Sequence, residues 1–249
     1  MTVAPAAEHP EASAVLAKAQ HENFPVALRI LPATLRRRLE TIYGFARLVD
    51  DIGDEIAGDR NAALDELEAD LDRAFAGHAH HPLLQRVTVF VQETGATKEP
   101  FLRLIEANRL DQRKSQYATW EELAHYCTLS ANPVGELVLV ALGKATPERI
   151  RWSDDVCTAL QLAEHMQDVD EDLERGRDYL PPGDLQARGR ALLASGIPLV
   201  KSLHGWGKLA VAGYVGGGFA AFDALEDGGR IAGGRERLAA TLRVLRAAR

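Results

Sequence analysis

Apolar residues along this chain recur mostly at intervals of three and four. Residues 61–75, "NAALDELEADLDRAF", follow that spacing and stop at Gly77, which predicts an amphipathic helix. Thr119 and Glu122 in "TWEELAHYC" have the spacing of a capping box opening another helix. Thr146-Pro147 in "KATPERI" reads as an N-cap followed by proline at the first helical position. Strand-like runs are short. The best, "RVTVFV" at 86–91, lies beside helical signals. The pattern predicts an all-α fold.

The chain has 249 residues, 46% hydrophobic and 26% charged, enough for a sizeable core in a globular protein. Residues 1–20 lack a continuous apolar run and read as a loose tail, not a signal peptide. No Pro/Ser/Gly-rich linker follows, so residues 21–249 read as one helical domain. The longest greasy stretch, "LAVAGYVGGGFAAF" at 209–222, is glycine-rich and shorter than a membrane span needs. Two cysteines, Cys127 and Cys157, are too few for a disulfide scaffold and point to a reducing cytoplasm. The formal charge of −7 argues against nucleic acid as a partner.

Charge changes the picture most at 47–55, "RLVDDIGDE", where acids crowd the end of an apolar helical run. On a helical wheel Tyr43, Arg47, Asp50 and Asp54 fall within an arc of about 60°. Ile42, Phe45, Leu48, Val49 and Ile52 occupy the opposite side. Like charges at i and i+4 repel by a few tenths of a kcal/mol, a cost that a divalent cation would remove. A solvated acidic helix end explains this stretch alone equally well.

A second acidic stretch, "QLAEHMQDVDEDLERGRDYLP" at 161–181, shifts the balance. The wheel aligns Gln161, Asp168 and Asp172 within about 20°, flanked by Glu164 and His165. Leu162, Met166, Val169 and Leu173 form the expected core stripe. Two such helices facing each other would present four carboxylates, hard oxygen donors suited to Mg²⁺ that also takes substrate phosphates. Arg47, Arg175 and Arg177 could meet the remaining phosphate oxygens. Calcium storage fits less well, because no EF-hand loop pattern is present. A di-iron centre needs Glu-x-x-His pairs, and Glu164-His165 lacks that spacing.

Paired DxxxD helices, with "YGFARLVDD" at the first and "GRDYLP" after the second, resemble the squalene/phytoene synthases. The likeness runs from "ENFPVALRILP" at 22–32 through "YLPP" at 179–182 and resumes in "GIPLVKSLHGWGKLAVAGYVGGG". "ENFPVA" and "SANPVG" (130–135) look most like the bacterial hydroxysqualene synthases of hopanoid pathways. The resemblance implies an isoprenoid-synthase-type helical bundle around a central cavity. It also implies conversion of presqualene diphosphate and water to hydroxysqualene and diphosphate, with Mg²⁺ and without NADPH. Asp50, Asp54, Asp168 and Asp172 match metal-binding aspartates. Tyr43, Arg47 and Tyr126 match catalytic positions. Arg29, Gln161, Glu164, Arg177, Tyr179 and Tyr214 match substrate-binding positions, with Glu164 in place of a common asparagine. Relatives carry roughly one more helix between the YLP segment and "GIPLV", so the chain reads as shortened after about residue 185.

Expected functional partners are a presqualene diphosphate synthase and a hydroxysqualene reductase. Trp206 is a candidate for peripheral contact between a cytoplasmic protein and a membrane edge, and burial against the last helix is an equal reading. Two other functions stay open. One is a synthase joining two prenyl diphosphates head-to-head. The other is a non-catalytic helical interaction protein of the same fold.

Overall fold

The computed structural model describes residues 10–18 and 31–249. Among them are helices and connecting turns but no strand; one isolated bridge pairs Gln116 with Asp178. The all-α expectation therefore holds. The chain divides into two compact units, residues 1–114 and 115–249.

The first unit holds α1 (Ala12–Ala17), α2 (Ala33–Asp54), α3 (Arg60–Phe75), α4 (Pro82–Thr94) and α5 (Glu99–Asp111). Part of the expected loose tail is thus helical: α1 packs on α2 and buries Val15 completely. The strand-like run 86–91 lies inside α4, where Leu83, Leu84, Val87 and Phe90 are buried at helical spacing. That spacing outweighs the β-branched composition. Phe101 of α5 is the centre of the core. Its ring meets Phe45 edge-on at 5.0 Å, Phe75 at 6.0 Å and Phe90 at 6.3 Å. Such pairs add about 0.5–1.5 kcal/mol each beyond burial.

The turn between α3 and α4 is tied by Asp70, whose side chain is only 5% exposed. It accepts from the backbone N–H of His80 at 2.9 Å and His81 at 2.8 Å, and from Arg73 Nε at 2.8 Å. Burial pushes this carboxyl up. The backbone donors and Arg73 outweigh that effect and hold it below the usual carboxylate range.

The second unit holds α6 (Trp120–Ser130), α7 (Asn132–Ala141), α8 (Pro147–Gln167), α9 (Val169–Glu174), α10 (Leu185–Ser195), α11 (Ile197–Ser202), α12 (Gly205–Glu226) and α13 (Gly234–Ala247). Thr119 and Thr146 cap α6 and α8 as the sequence predicts, accepting from Glu122 N at 3.2 Å and Arg149 N at 3.3 Å. The Glu122 carboxylate reaches Ala118 N, one residue before the cap. Helix α8 is packed by α6, α7, α10, α11 and α12. Asn132 of "SANPVG" is buried and bonds the Thr158 hydroxyl at 3.1 Å, fastening α7 to α8. The greasy run 209–222 lies in α12, which lies against α13. A Cβ at Gly216 would stand 2.5 Å from the Thr241 backbone, so glycine sets this close approach. Among the described residues no helix is long and apolar enough to cross a membrane.

Phe101→Ala should destabilise the protein by about 3–5 kcal/mol in urea unfolding. Asp70→Ala should cost about 2 kcal/mol at neutral pH. Because the folded pKa of Asp70 is depressed, its contribution is present above the unfolded carboxylate pKa. It disappears as pH falls through the folded value, so wild type and variant should converge in acid. Parallel stability curves across that range would rule this out.

Candidate active site

In the first unit, the acids of 50–55 divide into two sets. Asp51, with a side chain 3% exposed, and Glu55 face Lys18 and Arg47. Lys18 Nζ lies 2.9 Å from Asp51 Oδ1 and 2.8 Å from Glu55 Oε2. Arg47 Nε is 2.7 Å from Asp51 Oδ1 without an aligned hydrogen bond, and its Nη2 donates to Glu55 Oε1 at 2.9 Å. The helical wheel grouped Arg47 with Asp50 and Asp54. Its long side chain instead reaches along the helix to residues four and eight positions on. Hydrogen bonds and charge from Lys18, then Arg47, hold Glu55 below its ordinary pKa despite partial burial. Tyr43 lies near enough to Arg47 to interact with its charge.

Asp50 belongs to the other set. It is open to solvent, yet crowded by protein atoms. Loss of hydration in that crowd pushes its carboxyl up to about 7, reinforced by the charges of Asp54 and Asp111. A hydrogen bond from Asn108 Nδ2 to Asp50 Oδ1, 3.1 Å, opposes the shift. Asn108 is itself buried, and its Nδ2 also reaches Leu104 O at 3.4 Å. Glycine at 53 makes room for it: a Cβ there would stand 2.0 Å from Asn108 Oδ1. Gln112 closes the corner by donating to Gly53 O at 3.0 Å and Asn108 O at 3.1 Å. The sequence reading missed Asn108 and Gln112. The available signal was that Asn108 continues the apolar stripe Phe101, Leu104, Ile105 of α5 at helical spacing.

In the second unit, the second acidic motif does not lie on one continuous helix. Helix α8 ends at Gln167, and Asp168, with φ −103° and ψ 18°, separates it from α9. Asp172 N still bonds Asp168 O at 2.8 Å, so the chain bends but keeps its turn. The break ends the predicted core stripe, and Leu173 is 53% exposed. Burial raises the Asp168 carboxyl, and the charges of Glu171 and Asp172 add to it. Asp172 is held by His165: Nδ1 and Oδ2 lie 3.2 Å apart. The other ring nitrogen lies 3.2 Å from Gln161 Nε2, which fits a neutral imidazole donating to Asp172 and accepting from Gln161.

His165 also stacks on Tyr179, with ring centroids 4.0 Å apart. Tyr179 contacts Tyr117 at 5.4 Å and Tyr126 at 5.3 Å, completing a buried aromatic cluster. The "GRDYLP" segment is docked there by Asp178, whose N donates to Ser115 O at 2.7 Å and whose O accepts from Tyr117 N at 3.1 Å. Gln161, Asp172, Tyr126 and Tyr179 are thus brought together. Tyr214 makes no ring contact with them; burial and the neighbouring Cys157 push its hydroxyl up to about 12. Burial does the same to both cysteine thiols. Glu164 and Arg177 are half-buried, and Arg29 lies outside the described residues. No cluster of three or more His, Cys, Asp or Glu side chains that could hold a metal occurs among the described residues.

The squalene/phytoene synthase family model matches residues 17–190. The chain belongs to that family. The hydroxysqualene synthase of Rhodopseudomonas palustris is 34% identical over 193 residues, covering 74% of this chain and 65% of the relative. That of Sinorhizobium fredii is 35% identical over 184 residues, covering 70% and 59%. The presqualene diphosphate synthase of Zymomonas mobilis is 30% identical over 187 residues, covering 72% and 62%. The chain therefore spans about three fifths of the length of these curated relatives. Among solved structures, squalene synthase HpnC from Alicyclobacillus acidocaldarius is 42% identical with a TM-score of 0.78, covering 86% of this chain and 91% of that one. A dehydrosqualene synthase, 20% identical with a TM-score of 0.73, shares the fold and covers 95% of both chains.

Asn108→Ala removes the hydrogen bond that favours ionised Asp50. In metal-free protein, carboxyl-carbon NMR should then find Asp50 titrating higher than in wild type. An unchanged or lower midpoint would show that Asn108 does not tune this carboxylate.

Proposed function

We propose that this chain converts presqualene diphosphate and water to hydroxysqualene and diphosphate, with Mg²⁺ and without NADPH. The carrying observation is the division of acids in α2. Asp51 and Glu55 are engaged by Lys18 and Arg47, whereas Asp50 is solvent-reached and fixed by Asn108. A carboxylate crowded by protein beside Asp54 favours a neighbouring cation, which removes the cost of two like charges. The kinship with hydroxysqualene synthases at 34% and 35% identity supports the same choice of reaction.

Asp50 and Asp54 in the first unit, and Asp168 and Asp172 in the second, would each serve as Mg²⁺ ligands; all are hard oxygen donors, and the substrate diphosphate would supply further ligands. When bound, Mg²⁺ would neutralise the negative charge that develops on diphosphate as the C–O bond ionises. Tyr43 and Arg177 would bind the diphosphate, and Arg47 would join them by exchanging its contacts with Asp51 and Glu55 for phosphate oxygens. His165 holds Asp172 in place and fixes Tyr179, so the imidazole orients a carboxylate and an aromatic wall together. Tyr179 is stacked on His165 and Tyr117, so of the two tyrosines it is Tyr126 whose ring would serve a nearby carbocation, with Tyr179 holding it in place. Arg29, Gln161, Glu164 and Tyr214 would contact the remaining substrate. The upstream reaction must make a cyclopropylcarbinyl diphosphate, and the downstream one must reduce the alcohol product; these are the two expected partner enzymes.

Purified protein with presqualene diphosphate and Mg²⁺, analysed by mass spectrometry, should give hydroxysqualene without NADPH. EDTA should stop turnover. Asp50→Ala or Asp168→Ala should each lower it about 100-fold or more with helix content unchanged. Efficient squalene or phytoene formation from prenyl diphosphates would replace this reading with a head-to-head synthase. No consumption of any diphosphate by folded protein would favour a non-catalytic interaction protein.

A further inference from the structure

Six large apolar side chains are exposed among the described residues, and three of them, Ile231, Leu238 and Leu242, lie within twelve positions of one another. Ile231 is 60% exposed, Leu238 61% and Leu242 46%. The last two sit one turn apart on α13, and Leu245 extends their row within an arc of about 60°. This row is not the side that packs on the protein: α13 buries Ala240 and Val244 instead, with Thr241 against α12 at Gly216. Helix α13 therefore carries two apolar faces, one used and one bare.

Basic residues border the bare face. Arg235 and Arg246 lie within about 60–80° of Leu238 on the wheel, and Arg249 follows just past the end of the helix. None of these three makes an ion pair among the described residues. Their neighbours differ: Arg230 pairs with Glu236 at 2.8 Å, and Arg243 with Asp223 at 3.2 Å. Three uncompensated cations around an exposed leucine row stand out in a chain whose formal charge is −7.

We propose that this face of α13 docks on an anionic lipid surface, leucines entering the acyl boundary and arginines meeting headgroup phosphates. A basic helix with a leucine stripe is the chemistry of an interfacial helix. A second copy of the chain fits less well, because pairing α13 with itself sets arginines against arginines. The acid nearest in sequence, Glu236, is already held by Arg230 and by Gly233 N at 2.6 Å. An acidic peptide fits less well too, because a single helix face is convex and offers no groove for its side chains.

Flotation with vesicles of phosphatidylcholine, with and without phosphatidylglycerol, tests this on the full chain. Binding should require phosphatidylglycerol and weaken with salt. Each of Arg235→Gln, Arg246→Gln and Arg249→Gln should lower partitioning up to about five-fold. The double variant Leu238→Ser, Leu242→Ser should lower it about 10-fold or more, with the circular dichroism spectrum unchanged. No binding to anionic vesicles would overturn the proposal. So would full binding by the double serine variant, which would mean charge adsorption without leucine insertion. A dimer in sedimentation that dissolves in the double variant would instead assign the face to a second copy.

Discussion

The close approach of α5 to the C-terminal end of α2 is the constraint on which the first unit depends. It is set where Gly53 leaves space for the Asn108 amide. The same α5 stripe supplies Phe101 to the aromatic core and Asn108 to Asp50, and a Cβ at position 53 would stand 2.0 Å from the Asn108 oxygen. Core packing and site geometry are therefore coupled through one helix. Fixing Phe101 fixes where the amide stands, and the amide fixes a carboxylate that would otherwise be drawn toward bulk water.

Electrostatics then separates carboxylates that look alike. Asp51 is buried and needs a cation, which Arg47 and Lys18 supply from α2 and from just beyond α1. Asp50, one residue earlier, points a third of a turn away and meets an amide instead. A neutral donor leaves net negative charge in place, whereas an ion pair cancels it. In the second unit His165 does for Asp172 what Asn108 does for Asp50: it holds one oxygen without bringing a full positive charge when neutral. Each unit thus has an aspartate held at one oxygen by a side chain other than lysine or arginine.

The second unit adds a separate consequence of helix pairing. Small residues on α12 let α13 lie close, so Ala240, Val244 and Gly216 suffice to bury that side of the helix. The larger leucines of α13 are left on the opposite side, among arginines. Helix α13 thereby joins a close internal contact with α12 to an amphipathic exterior.

The helical class, the caps at Thr119 and Thr146 and the two acidic stretches were legible in the sequence, because they rest on spacing within a few residues of chain. The family was legible too, since "YGFARLVDD" and "GRDYLP" are contiguous motifs that the 17–190 match encloses. Other features were decided only by tertiary contact. Asn108 lies 58 residues from the carboxylate it anchors, and Lys18 lies 33 from Asp51. A helical wheel also assumes an unbroken axis and short side chains. It could not show the bend at Asp168 or the reach of Arg47 to Glu55. Local periodicity records which face of a helix is apolar, whereas a hydrogen-bond partner is chosen by whichever distant segment is packed nearby, and that choice is made only when the chain folds.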